Sequence, residues 1–161
     1  MKQNYNALIL KSVKITAGAI LAILFASCLN LKYSATAGII TILSIQNTKK
    51  ETIQTALARG EAFCCALLVS FLCYNFFGYT TAAFGIYLLI FTTLCLAMKW
   101  SSAIAMDSVL ITHFLAEKTM NIPMIANEIS LFLIGAGIGV ILNLSLRPKE
   151  NAWKDKMAEA D

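Results

Sequence analysis

Asp107 and His113 stand in an otherwise apolar segment, where an ionisable side chain has few uses. Asp107 lies eight residues beyond Lys99, about 12 Å along a helix. In hydrocarbon a charge at that depth faces a partner, a bundle interior or a water-filled path, so Asp107 is either part of a transport route or bonded to a neighbouring helix. His113 follows six residues later, on a different face, and shares its own face with Glu117. A basic set, Lys49, Lys50 and Arg59, falls in "TKKETIQTALAR", read as a short surface helix ahead of the third apolar segment. Its charges suit anionic lipid headgroups, or an electropositive vestibule that draws anions to a pore. Ser34, Ala37, Thr41, Ser44 and Thr48 recur at steps of 3, 4, 3 and 4 residues and line one helix face. That stripe serves close helix packing through hydroxyl bonds, or it forms the wetted wall of a permeation path. At its end Gln46, Asn47, Thr48 and Lys49 could strip water from a carboxylate without trapping it.

The elements that must position these groups are helices in a membrane. Of 161 residues 58% are hydrophobic and 14% charged, with a mean hydropathy of +0.71. Soluble domains carry nearer a quarter charged residues. Apolar segments at 13–31, 33–45, 62–78, 79–98, 103–115 and 129–146 predict six spans. The second and fifth are short, so they are expected to extend into their polar flanks, through Gln46–Thr48 and back to Ser101. Six spans put both termini on one side. That side then holds Lys2, Lys11, Lys14, Lys49, Lys50, Arg59, Lys99, Arg147, Lys149, Lys154 and Lys156, leaving Lys32 and Lys118 opposite. By the positive-inside rule both termini are cytoplasmic. The fold class is therefore an all-α integral membrane protein, a six-transmembrane-helix bundle.

The net charge of +4 is spread between apolar segments rather than gathered on one face, which argues against a nucleic-acid partner and for the lipid bilayer. "LFASC" before Cys28 loosely imitates a lipoprotein cleavage site, but Phe25 fits it poorly and the first helix is expected to stay. Cys28, Cys64, Cys65, Cys73 and Cys95 lie in apolar segments without metal-ligand spacing, and they read as small hydrophobes. No metal, cofactor or catalytic residue is expected, since no Ser–His–acid set or phosphate-binding loop occurs. Gly135, Gly139 and Asn143 form one ridge of small residues, and Gly18, Ala22 and Ala26 another, both suited to close packing.

Three blocks carry a family likeness. "AGIITILSIQNTKKETIQTALAR" (37–59), "HFLAE" (113–117) and "NEISLFLIGAGIGVILNLSLRP" (127–148) resemble, in order, the pattern of bacterial aromatic acid exporter family proteins. That family is related to fusaric-acid-resistance efflux proteins and distantly to plant aluminium-activated malate transporters. The resemblance implies a six-helix domain over residues 1–148 in the bacterial plasma membrane. It also implies export or channelling of organic carboxylate anions, aromatic ones among them, by a homodimer. Residues 149–161 would be a polar cytoplasmic tail, the start of a helical domain in relatives. Where the family pattern opens the third helix with Gly and Thr, and repeats Gly one turn on, this chain has Ala62, Phe63 and Ala66. The expected substrate path comprises Thr41, Ser44, Gln46, Asn47, Thr48, Lys49, Lys50, Arg59, Asp107 and His113. The competing reading is a non-transporting membrane anchor or assembly module whose polar stripes serve packing alone.

Overall fold

Local sequence signals start and stop six helices. The computed structural model describes residues 5–45 and 49–145, and its helices are α1 (Tyr5–Cys28), α2 (Ala35–Leu43), α3 (Lys49–Phe77), α4 (Thr81–Ala97), α5 (Ile104–Glu117) and α6 (Ile122–Ser145). No strand occurs among the described residues. Thr80 caps α4 by accepting a hydrogen bond from Ala83 N at 3.1 Å, after Gly78 has turned the chain with a positive φ of 68°. Asn121 Oδ1 accepts from Met124 N at 3.0 Å and caps α6, with Pro123 tolerated in the first turn. A 3-10 turn, Ser101–Ala103, leads into α5, as its short apolar run required.

Two boundaries differ from those the sequence predicts. The second helix does not run on through Thr48: α2 ends at Leu43, and Ile45 is non-helical. Ser44 Oγ donates back to Ile40 O at 2.7 Å, a local bond that competes with helix continuation. The basic stretch after it is not a separate surface helix. It is the first part of α3, which runs unbroken from Lys49 into the apolar region.

The helices pack as two groups of three. In one, α2 lies against both α1 and α6; in the other, α4 and α5 lie against α3. One apolar core, around Tyr87, Phe91 and Phe114, lies mainly in the second group, while the other, around Ile40 and Leu131, crosses to Phe63, Met106 and Leu110 of the second group. Contacts of α3 with α6 and of α2 with α5 join them along a seam. Large apolar side chains, including Phe25, Leu68, Phe76, Leu89 and Leu133, point outward. Three helices contain stretches long and apolar enough to cross a membrane, at 11–28, 52–77 and 122–145, and α4 is a shorter apolar helix. That outward greasiness is what a lipid-facing surface requires.

The α2–α6 contact depends on the glycine ridge. A Cβ at Gly135 would stand 2.6 Å from Ala37 O and from Ile40 Cβ, and one at Gly139 would stand 2.5 Å from Ser44 Cβ. Gly137, on the other side of α6, has nothing within 4 Å. Gly135→Ala is therefore expected to lower stability by about 1–3 kcal/mol through overpacking. Gly137→Ala should be neutral or gain up to about 1 kcal/mol of helix propensity. Thermal unfolding in detergent separates them, and equal midpoints would refute the close approach.

Candidate functional site

The polar residues gather along the seam, at two poles. The first is built around Arg59, ten residues into α3 and so about 15 Å from its start. It was expected among exposed charges at a surface mouth, yet it is only 4% exposed. The correction follows from α3 being one helix, which carries Arg59 down beside α2 and α5. Its Nε donates to Ser102 O at 3.2 Å, and Nη1 donates to Ser44 Oγ at 3.4 Å. About two turns earlier on α3, Thr52 Oγ1 accepts from Asn143 Nδ2 of α6.

Asp107 faces this pole from α5. It is fully buried, and neither carboxyl oxygen has a hydrogen-bond partner among the described residues. It acts electrostatically on Arg59 and, from α4, on Tyr87 and Cys95. The Tyr87 hydroxyl and Ser108 Oγ are buried in the same region and act on each other. Two carboxyl oxygens left bare in a buried region are unusual, since such atoms normally find a donor.

The second pole lies at the other end of α5. His113 Nδ1 shares a hydrogen bond of 2.7 Å with Glu128 Oε2, and His113 Nε2 lies 3.4 Å from Thr36 Oγ1. Glu128 is fully buried on α6, and its Oε1 accepts from Asn127 Nδ2 at 3.0 Å. Asn127 also binds the Lys32 backbone, accepting from its N at 2.8 Å and donating to its O at 3.1 Å. Tyr33 stacks on the His113 ring at 4.0 Å between centroids, and its hydroxyl donates to Glu117 Oε1 at 3.1 Å. These contacts hold Tyr33 at a φ of 57°, a strained value for an aromatic residue. Lys32 Nζ bonds Glu117 Oε2 at 2.7 Å, and that hydrogen bond raises the Lys32 pKa above its usual value. The α1–α2 connection is thus pinned to α5 and α6.

Between the poles the seam is shut. Phe63 of α3 stacks on Phe132 of α6 at 4.9 Å, nearly parallel, and Met106 and Leu110 are buried beside them. Of the expected path residues, Ser44, Arg59 and Asp107 come together. His113 belongs to the opposite pole. Thr41 is fully buried against α6, its hydroxyl 2.9 Å from Ala37 O and 3.0 Å from Gly135 O, so it serves helix packing. Gln46, Asn47 and Thr48 lie outside the described residues, and Lys49 and Lys50 begin α3 with side chains also outside them. Glu128, Asn127, Lys32, Tyr33 and Tyr87 were not anticipated. The available signal was Asn121 with Pro123, a helix start that takes Glu128 inside α6. Among the described residues no His, Cys, Asp or Glu group is arranged to hold a metal ion.

An all-helical bundle with an apolar exterior and an internal polar seam is an α-helical membrane protein. The chain belongs to the aromatic acid exporter family: residues 7–146 match the family model described as aromatic acid exporter family member 1. It is also 35% identical over 152 residues to the uncharacterized protein YqjA of Bacillus subtilis (strain 168). That alignment covers 92% of this chain and 47% of the relative, so the chain spans about half the length of the curated relative it matches. No solved structure matches.

Proposed function

We propose that this chain forms the membrane part of an exporter for organic carboxylate anions, aromatic ones in keeping with its family. In this reading all six helices sit in the plasma membrane, both termini are cytoplasmic, and two copies associate. The observation that carries it is Arg59: a buried guanidinium on the seam that makes no ion pair with any described residue. Such a group is a planar, permanently charged fork matched to a carboxylate. Lys49 and Lys50, at the start of α3, would gather anions at the cytoplasmic end. The stacked Phe63 and Phe132 support a gated carrier over an open hole, because the two halves must part to pass a solute.

The packing of Thr41 and of the glycine ridge favours a second reading, a membrane assembly module without transport. Sealed vesicles containing the protein decide between them. Labelled benzoate is expected to leave them faster than protein-free vesicles, with saturation and with competition by other aromatic carboxylates. Equal rates with and without protein would sink the exporter reading.

A further inference from the structure

Arg59 accounts for a charge but not for a ring, and a carboxylate seat alone would accept any organic acid. One helical turn further along the same face of α3 stands Phe63, about 6 Å along the axis. Both side chains are buried. Phe132 of α6 meets the Phe63 ring from the other half, with 4.9 Å between centroids and 3° between planes. An offset parallel pair of this kind holds two flat faces together, here across the seam. Met106 and Leu110 of α5 belong to the same apolar cluster and are buried with the rings. Since α3 supplies one ring and α6 the other, parting the two halves uncovers both faces at once.

We propose that Phe63 and Phe132 are the specificity-determining pair of the carrier: as the halves part, the substrate's aromatic ring enters between their faces while its carboxylate sits on Arg59. This rests on the exporter reading and adds the residues that select an aromatic acid from other carboxylates. A planar ring needs a gap one ring thick, so the stack opens by about 3.5 Å. The single ring contact of the closed seam is then replaced by two. A saturated ring of the same carbon count is thicker and has no π face. It must open the seam further, and it recovers neither contact. In a benzoate-like acid the carboxylate is bonded directly to the ring, which suits a guanidinium and a phenyl ring one turn apart. Each ring contact contributes about two- to tenfold in affinity beyond the area it buries.

The test compares labelled benzoate with labelled cyclohexanecarboxylate, equal in charge and carbon count, by equilibrium dialysis against the whole chain in detergent. Wild-type protein is expected to prefer benzoate by about four- to a hundredfold, the product of two ring contacts. Phe63→Leu and Phe132→Leu each keep an apolar side chain and lose one face. Each should lower that preference by about two- to tenfold, chiefly by weakening benzoate. A preference that survives in both variants while their thermal midpoints fall overturns the proposal, because the pair then only packs. Should neither variant fold, the ring protons of benzoate bound to wild-type protein decide. They are expected upfield of the free acid, as protons held between aromatic faces are, and unshifted signals overturn the slot. Wild-type protein that binds both acids equally also overturns it and leaves the exporter reading standing. If neither acid binds, the carboxylate reading itself is refuted, and this proposal with it.

Discussion

Arg59→Gln is expected to cut benzoate flux per folded molecule by ten- to a hundredfold. A hydrogen bond to a charged partner contributes about 1.5–3 kcal/mol. At about 1.4 kcal/mol per decade this gives one to two orders of magnitude. Arg59→Lys should fall between the two, because it keeps the charge and loses the planar fork. The defect should persist as salt is raised, since Arg59 is buried and a screened atmosphere of ions does not reach it. Lys49→Gln with Lys50→Gln provides the contrast. If those lysines act from a solvated mouth, their effect should fade with salt, where the screening length is already about 8 Å at physiological ionic strength. Flux in reconstituted vesicles, divided by correctly oriented protein, is the quantity to compare. An Arg59→Gln defect that vanishes in salt would place the guanidinium in solvent during transport and refute its role as a buried seat.

The sequence pattern located the helices better than it located their ends. Hydropathy finds α1, α4 and α6 because their apolar runs are long, and Ser101 correctly marked the lead into α5. It misjudged α2, where no Gly or Pro marks the stop and a single Ser44 hydroxyl bond to Ile40 O accompanies it. That error then separated the basic stretch from α3 and left Arg59 on the surface. Asp107 was legible as a buried carboxyl because its neighbours in sequence are apolar. Glu128 was not, because it stands at the edge of the apolar run beginning at Ile129 and looks like a flank. Only the cap at Asn121, which starts α6 earlier, takes it inside the helix. The partner of His113 is fixed by how α5 meets α6, and no periodicity within either helix contains that information.

The pair those two helices form leads to the second large effect. His113→Leu is expected to lower stability by about 3–5 kcal/mol, because the carboxyl group of Glu128, fully buried, then loses its imidazole partner. Asn127 would remain as its hydrogen-bond donor, and the stack on Tyr33 would be lost as well. Replacing both partners should cost far less: His113→Leu combined with Glu128→Met removes the buried carboxyl together with its imidazole partner, and such exchanges are often neutral. The difference between single and double variants, measured by unfolding in detergent, is the coupling energy of the pair. A double variant no more stable than His113→Leu alone would mean the two groups do not stabilise each other. The double variant also separates stability from transport. Folded protein that still moves benzoate would make the pair a clamp that pins Lys32 and Tyr33 to α5 and α6. Folded protein that has lost flux would require this end of the seam to take part in passage, with the clamp opening and closing as the two halves part.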